Sequence, residues 1–215
     1  MRSFFDTVFD RLSLERHYRR IFERKLPPGI TYAWCFGGIA FFLFLVLTFT
    51  GIVLSLYYIP SASEAYSSIR YIDEKIPTGW LMRSMHVWAA SGMVVAVLAH
   101  MVRVYVTGSY KEPREFNWVI GMTLFVLTMA FGFSGYLLPW DQKAYWATTV
   151  GTAMPGTTPL AGDFLVRIIR GGEDVGGITL LRFYVFHVYI LPVVSMLLLW
   201  AHFHMIRRQG ISGGL

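Results

Sequence analysis

The stretch RSMHVWAASGMVVAVLAHMVR, residues 83–103, decides the fold. Between its terminal arginines lie nineteen residues without Asp, Glu, Lys or Arg, among them His86 and His100. An α-helix rises 1.5 Å per residue, so about 20 apolar residues cross the hydrocarbon core of a bilayer. The stretch therefore predicts a transmembrane helix that carries an arginine at each end and two ionisable rings inside.

Three further uncharged runs, at 26–63, 116–140 and 183–206, have the same character. With 55% hydrophobic and only 15% charged residues, the chain falls outside the range of ordinary soluble domains. We predict an all-α membrane protein in which residues 27–215 form one four-helix transmembrane bundle. The predicted spans are the first at about 32–58, the second at 79–106, the third at 115–138 and the fourth at 183–206, with an outer loop at 139–182.

Residues 1–26 follow a different pattern. Apolar side chains recur there at helical spacing, arginines lie between them, and Pro27 and Pro28 follow. This pattern is typical of an amphipathic helix that lies in the membrane interface. The alternative is an exposed arm that packs on a partner protein.

Basic residues are unevenly distributed between the connections of the spans. If the N-terminus lies inside, the inner segments 1–31, 103–116 and 204–215 hold twelve Lys and Arg against six Asp and Glu, and the outer segments hold seven of each sign. This asymmetry is expected of an integral, multi-pass membrane protein with its N-terminus on the inner side. The basic excess thus reflects topology, and no basic stretch interleaved with exposed aromatics indicates nucleic acid.

Four histidines inside the predicted spans are the strongest functional signal. His86 and His100 are fourteen residues apart in the second span, and His187 and His202 are fifteen apart in the fourth. At about 100° and 1.5 Å per residue, the first pair is roughly 40° short of four turns, the second roughly 60° past them, and each pair spans about 21–22 Å. A single histidine could simply bond a neighbouring helix, but two matched pairs call for a shared explanation.

Topology assigns the partners of the histidines. The second and fourth spans run in the same direction, so His86 and His187 lie near their outer ends and His100 and His202 near their inner ends. In a bundle taken in chain order these two spans are diagonal, with room between them for a flat cofactor. We predict two stacked b-type hemes, one with its iron bound by the outer pair and one by the inner pair.

Glycines and arginines accompany the ligands. Gly37 and Gly51 are fourteen residues apart in the first span, as are Gly121 and Gly135 in the third, and glycine admits the close approach of a large planar group. Small-residue helix packing is the alternative for any one of them. Arginines near the ligands could bind heme propionates in bidentate fashion; the predicted set comprises Arg83, Arg103, Arg114 and Arg207. Arg207 is less well aligned with its histidine, and its alternative is to extend to the membrane interface.

Several motifs resemble the b6 branch of the cytochrome b family, the four-helix subunits of b6f-type quinol oxidoreductase complexes. They are C-F-G-G at 35–38, R-x-x-H at 83–86, K-x-P-R-E at 111–115, G-Y-x-L-P-W-D at 135–141 and R-x-Q-G-I-S-G at 207–213, together with the histidine spacings of fourteen and fifteen. The resemblance covers nearly the whole chain.

The resemblance implies a subunit of an enzyme that is not active alone. Quinol would be oxidised at the outer face, and one electron would cross through the two hemes to a quinone site at the inner face, coupled to proton translocation. The implied partners are a three-helix subunit, a Rieske iron–sulfur protein and a c-type cytochrome, in a dimeric complex within membrane lipid. The membrane is a bacterial cytoplasmic membrane or a thylakoid; Val87, where oxygenic members have an arginine, weakens the thylakoid assignment.

The resemblance also implies two further sites. Cys35 matches a cysteine that binds an additional c-type heme covalently, although a lone membrane cysteine is usually an inert small hydrophobe. The residues that match the outer quinol pocket are Tyr136, Pro139, Trp140, Asp141 and Trp146. Their alternative role is interfacial, as an aromatic belt with Asp141 capping a surface helix.

Two other functions remain as alternatives. A diheme b-type membrane anchor of a dehydrogenase or hydrogenase would also carry electrons across a bilayer, but it would not need Cys35 or the G-Y-x-L-P-W-D segment. A non-redox transporter or structural membrane subunit could use histidines as proton relays or helix bonds. That alternative does not account for the paired spacings.

Overall fold

Eight α-helices and no strand occur in the part of the chain that the structure, a computed structural model, describes, residues 30–212. They are α1 (Phe36–Ser55), α2 (Ala65–Lys75), α3 (Gly79–Val106), α4 (Glu115–Leu137), α5 (Gln142–Ala153), α6 (Gly162–Arg170), α7 (Gly177–Val185) and α8 (Leu191–Gln209). The helices belong to one compact unit, Tyr32–Gly210, and the second unit, Met1–Thr31 with Ile211–Leu215, lies almost wholly outside the described residues. The predicted interfacial helix at 1–26 therefore also lies outside them.

The four predicted spans are confirmed. Helical segments long and apolar enough to cross a bilayer are Tyr32–Ser55, Gly79–Val106, Glu115–Leu137 and Gly177–Gln209. The fourth begins six residues before the predicted start at 183, because Arg182 interrupted the uncharged run without interrupting the helix. Its guanidinium donates to the carbonyl of Ile168 on α6.

A π-turn interrupts the fourth span between α7 and α8. It comprises Phe186–Ile190 and includes His187. A π-turn closes i→i+5 hydrogen bonds, so it takes up one more residue than an α-turn. The fifteen residues from His187 to His202 therefore correspond in register to the fourteen between His86 and His100 in the regular helix α3. The 60° offset expected of a regular helix was wrong, because the turn absorbs the extra residue.

Three surface helices lie between the spans. Helix α2, in the connection between the first two spans, was not predicted, whereas α5 and α6 lie in the predicted outer loop. Asp141 caps α5, since its carboxylate accepts a hydrogen bond of 2.8 Å from the backbone N–H of Ala144. Helix α6 ends at Arg170 and is followed by Gly171, whose φ of 82° is the left-handed conformation that glycine adopts without strain.

The spans pack through small side chains. Helix α1 packs along α3, and α8 packs along α4. The buried residues of the first two spans include Ala40, Ala89 and Ala96, which let the helix backbones approach closely. At most 17% of the most apolar window of any span is buried within the chain, so most residues of the spans keep some accessible surface. Such surfaces suit lipid or partner helices rather than water.

Candidate functional site

The two histidines of the predicted outer pair lie side by side; "outer" and "inner" below refer to the predicted sides. His86 is on α3 and His187 is in the π-turn, and their ring centroids are 6.3 Å apart with an angle of 66° between the ring planes. Metal–imidazole bonds are about 2.0 Å long, so two imidazoles that bind one metal from opposite sides have centroids roughly 6 Å apart. The observed separation matches that requirement.

A threonine hydroxyl orients the ring of His86. Thr50 on α1, which is fully buried, lies with its Oγ1 2.8 Å from Nδ1 of His86. The same hydroxyl donates its proton to the carbonyl of Val46 at 2.7 Å, so it accepts the Nδ1–H of the histidine. The Nε2 lone pair of His86 is thereby left free to bind a metal.

A serine hydroxyl does the same for His187. Ser134 on α4 is 3% exposed, and its Oγ lies 2.9 Å from Nδ1 of His187. Its own proton is donated to the carbonyl of Ala130 at 2.7 Å, which makes the serine an acceptor toward the ring. The ring of Phe131 packs edge-on against the imidazole at 5.6 Å. Both outer histidines thus present Nε2 as the ligand atom.

The inner histidines are also neighbours but lack such acceptors. His100 on α3 is close enough to His202 on α8 for the two rings to interact electrostatically. Their Nδ1 atoms are buried and have no side-chain hydrogen-bond partner within residues 30–212, but the ring of His202 lies close enough to the backbone of Asn117 to interact with it. The two layers of the site therefore differ in the surroundings of the ligand rings.

Each of the four predicted glycines lies against one of the four histidine rings. A Cβ atom at these positions would approach the Cε1 atom of the ring to 2.6 Å for Gly135 and His187, 3.0 Å for Gly37 and His100, 3.3 Å for Gly51 and His86, and 3.7 Å for Gly121 and His202. The prediction was that the glycines face the cofactor; the contact in the structure is with the ligand ring itself. Glycine is thus needed to seat the imidazoles close to the flanking helices.

The donor set fits a heme better than a bare metal ion. Each layer supplies two imidazole nitrogens, and no group of three or more His, Cys, Asp or Glu side chains comes together anywhere in the described range. A protein site for zinc uses three or four protein ligands, whereas a porphyrin brings four nitrogens of its own and needs only axial ligands. His86 with His187 and His100 with His202 are the residues that would hold two such groups.

Arg83 lies beside an acidic residue that the sequence had not connected to it. Its Nη1 is 2.5 Å from Oδ2 of Asp73 on α2, and the two side chains are 40% and 29% exposed. The other carboxylate oxygen of Asp73 is buried without a partner among the described residues. The ion pair joins α2 to the outer end of α3, next to His86.

The inner end of the bundle gathers buried polar atoms that lack partners. The guanidinium of Arg103 packs over the ring of Trp34 at 5.1 Å, and that of Arg114 lies 3.5 Å from the carbonyl of Gln209. Within residues 30–212 the buried atoms without a hydrogen-bond partner include Nε of Arg103, Nε of Arg114, Oδ1 of Asn117 and Oε1 of Gln209. Unpaired buried polar groups are costly, so their concentration at one end indicates a place for a polar ligand. Arg207 belongs to the last turn of α8 at this end.

Cys35 is exposed at the end of the turn that precedes α1, one residue after Trp34. The side chain that the resemblance assigns to covalent attachment is thus accessible, beside the residue on which Arg103 packs.

The predicted quinol-pocket residues cluster in sequence around the end of α4 and the start of α5. Tyr136 and Trp146 are 55% and 58% exposed, and Trp140 has a φ of 52°, which is rare for a bulky residue. Tyr58 contacts this corner, because its hydroxyl donates a hydrogen bond of 2.7 Å to the carbonyl of Leu138. Burial of the Tyr58 side chain raises its pKa well above the usual range. Asp141 holds its capping position, so its carboxylate already has a structural role.

Sequence reasoning missed Thr50, Ser134, Asn117 and Asp73. For the first two a signal was present: each hydroxyl residue directly precedes a glycine that seats an outer histidine.

Comparisons with known proteins identify the family and the fold. The family model described as Cytochrome b/b6/petB matches residues 21–210. The chain is 44% identical over 211 residues to cytochrome b6 of Synechococcus sp. (strain RCC307), covering 98% of this chain and 97% of that relative. It is 46% identical over 215 residues to cytochrome b6 of Cyanidium caldarium, covering 100% of both. A solved structure titled Hyperthermophilic respiratory Complex III contains a similar chain, with a TM-score of 0.90 and 33% identity over 97% of this chain; the match spans only 56% of that chain.

Proposed function

The chain belongs to the cytochrome b/b6 family, and on that premise we propose which of its residues perform its part in electron transfer within a quinol oxidoreductase complex. The single observation that carries the proposal is the paired seating of the histidines. Two rings from α3 meet two rings from the fourth span, at two depths, and each ring lies against a glycine of a flanking helix.

The histidine pairs would hold two b-type hemes, each of which supplies a one-electron iron couple. The protein's own contribution is to fix the ligand rings, through the glycines and the Thr50 and Ser134 hydroxyls, and to keep both sites within apolar helices. Because the pairs are at opposite ends of the same two helical segments, the chain would connect the two faces of the membrane.

The inner end would bind anionic or polar groups. We assign the heme propionates and an inner quinone site to the region of Arg103, Arg114 and Arg207, supported by the buried polar atoms there that lack partners. Cys35 would bind a third heme through a thioether, formed when its S–H adds across a vinyl group. Its exposure supports access to that reaction.

The outer end would form one wall of a quinol-oxidation pocket. Tyr136, Trp140 and Trp146 would supply aromatic surface, while Pro139 and Asp141 fix the turn into α5. Two of these rings are more than half exposed, which supports a wall that a second polypeptide completes.

The remaining machinery would come from other subunits. We propose that a separate three-helix subunit completes the core, as the resemblance to cytochrome b6 implies. The chain spans 56% of the length of the complex III chain that it resembles. A Rieske protein and a c-type cytochrome would accept the other electron, in a dimeric complex, and the chain alone would not turn over quinol. The charge asymmetry supports an inner location of the N-terminus.

A reduced-minus-oxidised spectrum with a heme count on the purified complex tests the proposal. We expect two b-type hemes that require this chain, together with quinol-dependent reduction of a c-type cytochrome. A complex with two b hemes but no quinol–cytochrome c activity would favour the dehydrogenase anchor. A chain that purifies without heme would eliminate both.

A further inference from the structure

One tyrosine contacts both the proposed quinol pocket and the helix that leads to an outer histidine. Tyr58 lies in the connection that follows α1, where its backbone N–H donates to the carbonyl of Leu54 at 3.1 Å. Its hydroxyl donates at 2.7 Å to the carbonyl of Leu138, 80 residues further along the chain. Its ring stacks on the ring of Tyr184 on α7, with centroids 5.5 Å apart and an angle of 28° between the planes. The side chain therefore joins three separate segments of the chain.

The bond to Leu138 falls where α4 ends and the pocket wall begins. Carbonyls at the C-terminus of a helix lack partners within the helix, and Pro139, the next residue, has no N–H. Trp140 then has a φ of 52°, a conformation that persists in a bulky residue only where surrounding contacts fix it. Its N–H donates to the carbonyl of Leu137 at 3.2 Å, a contact within the same turn. The Tyr58 hydroxyl adds a contact from a different part of the chain.

The ring stack extends this link toward the outer heme ligand. Tyr184 lies three residues before His187, so the two side chains are one helical turn apart on the fourth span. A side chain that bonds to the pocket wall and stacks on this turn limits the movement of one relative to the other.

We propose that Tyr58 is a positioning residue for quinol oxidation, which holds the turn Leu138–Trp140 in place relative to the helical turn that carries His187. The inference rests on the proposed function, because it requires a quinol pocket with this turn in its wall. It deepens that function by naming a residue that determines how much of the time the wall is in the conformation that binds quinol.

The chemistry of the phenol suits this role. A carbonyl oxygen can only accept, so the Tyr58 hydroxyl must donate. Burial raises the pKa of Tyr58 well above its usual range, so the hydroxyl keeps the proton that it donates. The donor is therefore present throughout the pH range in which activity is measured.

The expected kinetic effect follows from the population of the binding conformation. When a site is competent for only a fraction of the time, its apparent affinity falls by that fraction. One intramolecular hydrogen bond shifts such an equilibrium by about three- to tenfold. Loss of the Tyr58 hydroxyl should raise KM for quinol by about this factor. Because bound quinol itself selects the competent wall, kcat at saturation should stay unchanged.

Quinol titrations of the intact purified complex test the proposal, with cytochrome c reduction as the readout. The substrate is a short-chain naphthoquinol or a decyl benzoquinol, whichever the wild type oxidises faster. Tyr58→Phe keeps the ring and removes the donor, so we expect the rise in KM with kcat and both b hemes retained. The matched control, Tyr57→Phe, removes a hydroxyl from the adjacent side chain, which is 41% exposed, and should keep the wild-type KM.

A second variant tests the other contact of the link. Tyr184→Leu removes the ring stack and leaves the bond to Leu138, and we expect KM to rise there too. In the double variant with Tyr58→Phe the two effects should combine to less than their product, because both act through one side chain.

The inference is overturned if heme-replete Tyr58→Phe keeps the wild-type KM, if its kcat falls instead, or if Tyr57→Phe shows the same change. If Tyr58→Phe does not assemble with its hemes, an unchanged KM in Tyr184→Leu overturns it. Failure of both variants to assemble would also overturn it, because Tyr58 would then serve the fold rather than the pocket. A wild-type complex that holds two b hemes and does not oxidise quinol would instead refute the proposed function.

Discussion

A Cβ atom on Gly135 would lie 2.6 Å from Cε1 of His187 and 3.2 Å from Nε2, the nitrogen that the ring presents for a metal. The equivalent approach of Gly121 to His202 is 3.7 Å, an ordinary contact. The four glycines are therefore unequal, and the outer ring on the fourth span is held most tightly.

Alanine substitution should have different effects on heme binding at Gly135 and at Gly121. Gly135→Ala forces the His187 ring to move, and overpacking of this kind costs about 1–3 kcal/mol, so we expect the outer heme to be lost or greatly depleted. Gly121→Ala, the matched control, should keep the inner heme and gain up to about 1 kcal/mol of helix propensity. Heme content by difference spectroscopy checks both, and equal retention in the two variants would contradict the expectation.

The ligand pairs can be tested one layer at a time. His202→Leu should remove the inner heme and leave both ligands of the outer heme, His86 and His187, in place. His187→Leu should do the reverse. Spectra and redox titrations of the assembled complex distinguish the two hemes. Loss of only the outer heme in His202→Leu would mean that the topology is inverted, with His202 near the outer face.

The Arg83–Asp73 ion pair beside the outer site predicts that substitutions of its two residues affect heme retention unequally. Arg83→Gln removes both the pair with Asp73 and the proposed propionate ligand, so outer-heme retention should fall. Asp73→Asn breaks only the pair, which is partly exposed and contributes about 1 kcal/mol or less. Heme retention during thermal unfolding measures the difference. If Asp73→Asn proves the more damaging, Arg83 acts through α2 rather than on a heme.

Covalent attachment at Cys35 predicts a stain on denaturing gels. The wild-type polypeptide should keep heme-dependent peroxidase activity after acid–acetone extraction, and Cys35→Ser should lose it while retaining two b hemes. The thiol is exposed, so the substitution should leave the fold intact. A wild-type band without stain would refute the attachment.

The π-turn predicts that one deletion in the fourth span is tolerated. Removal of Ile190 leaves fourteen residues between His187 and His202, the spacing that a regular helix accommodates in α3, so both hemes should remain. Removal of Val95 from α3, which has no such turn, rotates His86 relative to His100 by about 100° and should cost at least one heme. Heme counts on the two deletion variants test this prediction. If both variants keep both hemes, the rotational register of the two histidines on a helix does not limit heme binding.

The spans, the histidine pairs and the seating glycines were predictable because each depends on a periodic pattern along one helix. The Arg83–Asp73 pair was not, since it needs α2, whose mixture of charged and apolar residues gave no clear signal in the sequence. The π-turn depends on which backbone hydrogen bonds form locally, and no residue pattern in the sequence indicated it. The sequence showed only that His187 and His202 are one residue further apart than His86 and His100. Thr50 and Ser134 resemble ordinary hydroxyl residues that bond back to their own helix, and only the position of the facing rings gives them a second role.

Small side chains at the helix contacts have a consequence for biogenesis. Among the described residues, the only large aliphatic side chains at most 2% exposed are Ile72, Leu137 and Leu180, all toward the outer end, while the middle of the bundle buries mainly alanine, threonine and serine. In the proposed holoprotein, the porphyrin rings would supply much of the apolar surface that is buried in the middle of the bundle. A ligand that binds only the folded state stabilises that state by mass action. The newly made polypeptide should therefore be a substrate for membrane proteases until it captures its cofactors. Immunoblots of heme-starved cells should show the chain depleted while its messenger RNA is unchanged.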